Sequence, residues 1–179
     1  MPEIEIRPVL SADIPDLIQI DHDNQTDYVW QMSRSVDEGD VVIQFREVRL
    51  PRSVRVEYPY PATALADRWK ECAGMLVASM NRELVGYVGL SNTKSPATVA
   101  VSDLAVAPNQ RRKGIGTALL LAAQGWAIHR RLRSVSMAVQ SKNFPAIRLA
   151  LKLGFDFCGY NDDYYANQDI ALFFNRFLK

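Results

Sequence analysis

Apolar residues follow two different periods along the chain, and the places where the period changes divide it into short elements. Polar and apolar residues alternate over 3–9, as in a strand with one buried face, whereas 114–131 repeats apolar residues at helical spacing. The same criteria predict further strands over 40–50, 53–58, 75–80, 84–90, 98–106, 134–140, 155–165 and 169–178. They predict further helices over 11–21, 63–73 and 144–153. Residues 22–39 are polar and mixed, and fit a helix or a loop.

Short polar turns join several of the predicted strands, which favours antiparallel pairing between neighbours. Pro51-Arg52 separates two β-rich runs and predicts a hairpin insert at about 40–60. Residues 81–83 predict a second hairpin, and Asn167-Gln168 predicts the last turn. These elements form a mixed α/β (α+β) domain over residues 1–179, with a central, mixed, mostly antiparallel sheet flanked by helices.

The segment 110–117, with the sequence QRRKGIGT, joins the apolar run 103–108 to the long predicted helix. Glycine lets the backbone come close to a ligand, and the first turn of a helix offers N–H groups that favour negative charge. Three cationic side chains lie beside these donors, so the segment predicts a pyrophosphate site. A P-loop pattern is absent, and a dinucleotide fingerprint needs glycine where the chain has Leu119. The alternative is an ordinary turn with surface arginines.

A second segment, 140–155, predicts a capped helix that leads into a strand. Asn143 suits the N-cap, Pro145 suits the first turn, and Gly154 suits a left-handed C-cap before Phe155. Together with Arg111-x-x-Gly114-x-Gly116, this segment resembles the two signatures of the GCN5-related N-acetyltransferase (GNAT) superfamily. The resemblance covers about residues 75–165.

The resemblance implies a site for acetyl-CoA, with no metal. In the superfamily the strands that flank the main helix, here 98–106 and 134–140, run parallel and splay apart. Leu104 and Val106 would then offer main-chain groups to the pantetheine, and Asn143 would touch the pantetheine or the adenosine. The pyrophosphate would be held by residues of the loop, namely Arg111, Arg112, Lys113, Gly114, Ile115, Gly116 and Thr117.

The activity that the resemblance implies is transfer of an acetyl group from acetyl-CoA to a primary amine, by direct attack through a tetrahedral intermediate. A base must take a proton from the amine, a main-chain donor near Val106 would meet the oxyanion, and an acid must protonate the leaving thiolate. The family's usual tyrosine position holds Ala150, and a glutamate position of some members holds Ala138. The mechanism is therefore not carried over residue by residue.

Three residues are candidates for the missing catalytic groups. Tyr164 or Tyr165 could act as the acid or bind the substrate; alternatively, one ring packs in the core and the other lies on the surface. Asp103 could be a base or a water anchor; alternatively, it is a strand-edge carboxylate paired with an arginine. His22 is a weaker candidate for the base, and His129 is expected in solvent.

The acceptor is predicted only as a class, namely a small molecule or a protein N-terminus that carries a primary amine. Tyr58-Pro59-Tyr60 and Tyr165-Ala166-Asn167 resemble streptothricin acetyltransferases, and the double tyrosine resembles ribosomal-protein alanine acetyltransferases. A non-catalytic acyl-CoA-binding sensor or interaction module is the alternative function, and a protein that binds another phosphate compound is a third.

Composition and charge restrict the classes of binding partner and the location that are expected for the protein. The net charge is +1, so no global field recruits nucleic acid, and no run is long enough to span a bilayer. Cys72 and Cys158 form no metal or disulfide framework, and no signal peptide is recognised, so the expected location is the cytoplasm. Cys158 is expected in the core. A basic face on the 40–60 insert could bind a second subunit or an acidic protein. A homodimer is possible, assisted by an exposed C-terminal strand over 170–177.

Overall fold

A computed structural model describes residues 3–179, and Met1 and Pro2 of the expected domain lie outside the described residues. The strands are β1 (Ile4–Pro8), β2 (Asn24–Asp37), β3 (Asp40–Val56), β4 (Gly74–Met80), β5 (Glu83–Asn92), β6 (Thr98–Val106), β7 (Ser134–Gln140), β8 (Asp156–Asn161) and β9 (Ala171–Phe177). The α-helices are α1 (Ile14–Ile18), α2 (Leu65–Arg68), α3 (Ile115–His129) and α4 (Phe144–Lys152). None of these helices has the length and apolar character needed to cross a membrane.

Seven strands form one sheet in the order β1-β4-β5-β6-β7-β9-β8. Within residues 3–179, β6 and β7 are its only parallel neighbours; the other pairs are antiparallel. The parallel pairing joins 98–101 to 134–137 and stops before either strand ends. The predicted fold class is therefore confirmed, and β6 and β7 separate beyond Val101.

The sheet is covered on both faces, because alternate residues of its central strands belong to two cores. Leu76 and Val88 pack in the larger core with α3 and α4, whereas Val77 and Tyr87 pack in the smaller core with α1 and α2. Opposite faces of β4 and β5 thus contact different helices. Helices α3 and α4, whose N-terminal segments were predicted to bind the ligand, lie on the face of the sheet that carries the larger core.

The predicted hairpin insert has other bounds in the structure. The hairpin consists of β2 and β3, with its turn at Glu38-Gly39, and Pro51-Arg52 lies within β3 rather than at a turn. Gly39 has φ +86° and Glu38 has no positive φ, which is the pattern of a type II turn, and glycine adopts this φ without strain. The expectation of a helix or loop over 22–39 was wrong, because polar side chains on an exposed two-stranded ribbon leave no clear period.

Five smaller expectations also need correction. The helix predicted over 11–21 is a 3₁₀ turn followed by the short helix α1, and the helix predicted over 63–73 is the short helix α2 between two 3₁₀ turns. Strand β8 ends at Asn161, whose side chain accepts from the Asp163 N–H in a turn, so Tyr164 and Tyr165 lie in a loop. The C-terminal strand β9 is paired on both sides, and β8 is the edge. Cys158 is exposed on that edge strand rather than in the core.

Candidate functional site

The loop between β6 and α3 turns its backbone toward a cavity of about 680 Å³. Gly114 is the N-cap of α3 and has φ +86°, and a Cβ added there would have no neighbouring atom within 4 Å. Among the described residues, the N–H groups of 112–117 donate to no acceptor outside helix α3. The positive end of the helix and these N–H groups therefore face open space, a geometry that suits a phosphate group.

Not every predicted loop residue offers its side chain to this cavity. Ile115 is buried in the core, so only its main chain is available. A Cβ on Gly116 would lie 3.1 Å from Leu149 Cδ2, so this glycine also lets α3 approach α4. Gly114, Gly116 and Thr117 all line the cavity.

The Arg111 side chain does not point to the cavity as a free cation. Its Nε donates to the Val106 carbonyl at 2.8 Å, and its two terminal nitrogens donate to the carbonyls of Asp23 and Asp21, both at 2.7 Å. Its N–H donates to Pro108, at 3.3 Å. Arg111 therefore ties the end of β6 to the 21–23 loop, and this replaces the expected phosphate contact.

Arg112 and Lys113 are the two cations of the loop that stay exposed. Arg112 has φ +66° and lines the cavity, whereas Lys113 Nζ donates to Gln110 Oε1 at 2.9 Å. Both side chains are long enough to reach an anion at the mouth of the cavity, where solvent screens their charge.

The separated part of β6 presents main-chain groups toward β7. The Ala107 N–H donates to Val85 on β5 at 2.8 Å, and successive residues of a strand point their main-chain groups to opposite sides. The main-chain groups of Leu104 and Val106 therefore point away from β5, into the gap. At Val106 the carbonyl already accepts from Arg111, so its N–H is the free group.

A second cavity, of about 890 Å³, lies on the other side of the same gap. Leu104, Asn143 and Ala146 line both cavities, so the two meet between β6 and the start of α4. Asn143 is the N-cap of α4, as predicted, and its Oδ1 accepts from the Ala146 N–H at 3.2 Å. The amide nitrogen of Asn143 remains available at this junction.

Four tyrosines line the second cavity: Tyr58, Tyr60, Tyr164 and Tyr165. Tyr165 is 7% exposed and burial raises its pKa, whereas Tyr164 is 48% exposed and packs edge-on against it at 5.0 Å between ring centres. One ring is thus buried and the other exposed, as in the alternative given for this pair, and both line the same cavity. Such a wall suits a cation or an apolar body.

Asp103 is the centre of a buried polar cluster at this wall. Its carboxylate accepts from the Tyr58 hydroxyl at 2.6 Å and from both terminal nitrogens of Arg68 at 3.0 Å. Burial, followed by the charge of Asp103, raises the pKa of Tyr58. The pairing with an arginine that was the alternative for Asp103 is therefore present, and Asp103 also lines the cavity.

His22 lies beside this cluster and lines the first cavity. It is 6% exposed, and its Nε2 is 2.8 Å from the Tyr87 hydroxyl. Burial lowers the pKa of His22, and the Ile20 carbonyl and the charges of Asp103 and Asp21 act in the opposite direction. The neutral ring therefore behaves as part of a packed wall, with Tyr58 at 5.0 Å between ring centres. His129 is exposed, as expected.

The two departures from the family pattern occupy different environments. Ala138 lines the second cavity, so a longer side chain there would reach its interior. Ala150 is fully buried in the larger core and is absent from the lining of both cavities. The sequence carries no signal for Arg68 or Tyr87, and it marks Tyr58 only by its family likeness. Long-range packing alone brings these residues to Asp103 and His22.

Comparison with known proteins identifies the family. The model of the acetyltransferase (GNAT) family matches residues 42–155. An N-alpha-acetyltransferase of Sulfurisphaera tokodaii is 33% identical over 144 residues, which cover 74% of this chain and 83% of the relative. A streptothricin acetyltransferase of Streptomyces lavendulae is 32% identical over 83 residues, 46% of this chain and 44% of the relative.

Solved structures share the fold. A nourseothricin acetyltransferase superposes with a TM-score of 0.83 at 24% identity, over 98% of this chain and 99% of the other. The ribosomal-protein-S18-alanine N-acetyltransferase of Escherichia coli gives 0.70 at 16% identity, over 99% and 95%. A GNAT acetyltransferase of Elizabethkingia anophelis with acetyl-CoA bound gives 0.58 at 20%, over 66% and 84%. With this fold, its loop geometry and its family match, the chain belongs to the GNAT family of acetyltransferases.

Proposed function

We propose that the protein transfers an acetyl group from acetyl-CoA to a primary amine that enters from the second cavity. The observation that carries this proposal is the junction of the two cavities at Leu104, Asn143 and Ala146. Two ligands that approach from opposite sides meet there, and holding two reactants in line is itself a large part of catalysis.

The first cavity fits the acyl donor. Acetyl-CoA supplies a thioester whose carbonyl carbon accepts the amine. The N–H groups of 112–117 and the exposed Arg112 would hold its pyrophosphate, and the main chain of Leu104 and Val106 would pair with its pantetheine arm. The Val106 N–H, or that of Leu104, would stabilise the oxyanion, since both point into the gap.

Asp103 is positioned to orient the amine or a water molecule that takes its proton. An ionised carboxylate has about four acceptor sites, and Tyr58 and Arg68 use three of them at Asp103. The remaining site belongs to Oδ2. Because Arg68 and Tyr58 fix the carboxylate, this site has a fixed direction, and Asp103 is one of the residues that line the second cavity.

The double tyrosine supplies the candidate acids for the leaving thiolate. The phenol of Tyr164 is in contact with solvent, so it can recover a proton after each turnover. Burial raises the pKa of Tyr165, which makes its phenol a weaker acid than an ordinary tyrosine. Tyr164 is therefore the preferred acid, and Tyr165 the residue that holds its ring.

Two acceptor classes follow from the relatives: a peptide N-terminus and an amine-bearing small molecule. The tyrosine wall and the exposed carboxylate of Asp156 at the second cavity support a cationic acceptor of either class. Ala138 and Ala150 favour a second candidate function, an acyl-CoA-binding module without turnover, because neither methyl group can transfer a proton.

The experiment that separates the two functions is thiol release from acetyl-CoA across a panel of N-terminal peptides, diamines and streptothricin-type amines. Release with any acceptor, together with its acetylated product, supports the transferase. Asp103→Asn should lower kcat about 100-fold while leaving acetyl-CoA affinity unchanged. Asp162→Asn, which changes an exposed carboxylate that lines neither cavity, is the matched control. Acetyl-CoA binding without release across the whole panel favours the module.

A further inference from the structure

The hairpin of β2 and β3 continues past the body of the protein as a two-stranded ribbon. One face of its near half packs on the core, where Trp30 and Phe45 contact Phe157 at 6.1 and 5.5 Å between ring centres. The same face continues outward to Val36 and Val41, which pair with each other and are 60% and 63% exposed. An isolated two-stranded hairpin is only marginally stable in water, so the far half lacks the support that the near half has.

Charge is distributed unequally along this ribbon. Its tip carries Asp37, Glu38 and Asp40, whereas its stem carries Arg46 and Arg49 with Glu47 between them, and Arg34 lies on β2 opposite Ile43. Within residues 3–179, none of these seven side chains takes part in an ion pair. Asp40 and Arg46 are six residues apart on one extended strand, about 20 Å, so they cannot meet within one chain.

The outer edge of β3 is open. In the described part of the chain β3 pairs only with β2, and an unpaired strand edge is a template for another strand. Antiparallel pairing of two copies of β3 about Ile43 places Asp40 opposite the partner subunit's Arg46. It also places Val41 opposite the partner subunit's Phe45. Sliding the strands by two residues either way puts Asp40 opposite Val48 or Gln44 instead, which loses the charge match.

We propose that this ribbon is a homodimer interface, in which the two β3 edges pair antiparallel about Ile43 to form a four-stranded sheet. The arrangement is isologous, because the acidic tip of each copy meets the basic stem of the other. It places Val41 beside the partner subunit's Phe45 and gives Asp40 and Arg46 an ion-pair partner each. Residues 33–46 do not line either cavity, so this interface and the acetyl-transfer site are tested separately.

The test is sedimentation equilibrium over a wide concentration range, with circular dichroism as a check of folding. The unmodified protein should be a dimer. Asp40→Arg and Arg46→Asp should each raise the dimer dissociation constant about tenfold or more, and the double variant should restore it. Asp162→Arg, at an exposed carboxylate outside the ribbon, is the matched control and should remain dimeric.

A monomeric unmodified protein would overturn the proposal, as would a dimer that both single reversals leave intact. Failure of the double variant to recover would also overturn the pairing of Asp40 with Arg46. An independent check is Ile43→Cys in a background with Cys72→Ser and Cys158→Ser. Because Ile43 lies on the two-fold axis, this variant should form an intermolecular disulfide on mild oxidation, whereas Val36→Cys should not.

Discussion

The Nε atom of Arg111 donates a hydrogen bond to the Val106 carbonyl at 2.8 Å, across the turn that follows β6. The same guanidinium holds the carbonyls of Asp21 and Asp23, so one side chain joins the edge of the cofactor gap to the loop that carries His22. Burial lowers the pKa of Arg111. Because its side-chain donors bind these three carbonyls, Arg111 contributes to the site by fixing the backbone of Val106 and of the 21–23 loop.

Arg111→Ala should therefore destabilise the protein, by about 2 kcal/mol, because its three hydrogen bonds involve a charged donor. Arg112→Ala should change the free energy of unfolding by less than about 0.5 kcal/mol, as at other exposed positions, but should weaken acetyl-CoA binding and its salt dependence. Urea denaturation and calorimetry at two salt concentrations measure both effects. If Arg111→Ala keeps its stability and loses only its affinity for acetyl-CoA, Arg111 contacts the phosphate instead.

Gly114→Glu should abolish acetyl-CoA binding, because the added carboxylate would occupy the space that the loop presents to a pyrophosphate. Any side chain at φ +86° also costs about 1–2 kcal/mol, so a control for strain is needed. Gly39 has the same φ, +86°, at the far end of the ribbon. Gly39→Glu should lose similar stability and bind acetyl-CoA normally. Equal affinities in both folded variants would rule out the loop as the pyrophosphate site.

His22 should make the fold sensitive to acid. Burial lowers the pKa of His22 in the folded state, whereas an unfolded histidine titrates near pH 6.5. Below that pH the unfolded chain binds a proton that the folded chain resists, so stability falls as the pH drops. His22→Gln should flatten the decline in unfolding free energy below about pH 6.5. Parallel curves for the two proteins would show that another group causes the decline.

Tyr164→Phe should lower kcat at least 100-fold while the KM for acetyl-CoA stays the same, because the change removes the proton donor and keeps the ring. Tyr165→Phe, the neighbouring ring in the same loop, should reduce turnover far less. Steady-state kinetics on any accepted amine measures both variants. Loss of turnover only in Tyr165→Phe would transfer the acid role to that residue, and full activity in both would exclude a tyrosine acid.

The parts of the site that the sequence predicted are those fixed by short-range rules. A glycine at φ +86° before a helix, and an asparagine that caps the next helix, follow from preferences of neighbouring residues. The parallel pairing and separation of β6 and β7 came from the family resemblance rather than from such preferences, and the structure has both.

The parts that the sequence did not predict depend on distant contacts. Asp103 meets residues 35 and 45 positions away in the chain, and no local pattern marks Arg68 or Tyr58 as its partners. The ribbon was divided wrongly at Pro51, since an edge strand tolerates proline where no N–H is needed. Its true turn, at Glu38-Gly39, lies in a polar run without flanking alternation.

We propose that the loop before α3 binds the pyrophosphate of an acyl-CoA, and this assignment underlies the proposed function. It can be tested by calorimetric titration of the unmodified protein with acetyl-CoA, and again in the presence of excess ATP. One acetyl-CoA should bind per chain, and ATP should displace it only weakly. Absence of heat and of any affinity for acetyl-CoA, or complete displacement by ATP at similar concentration, would contradict it.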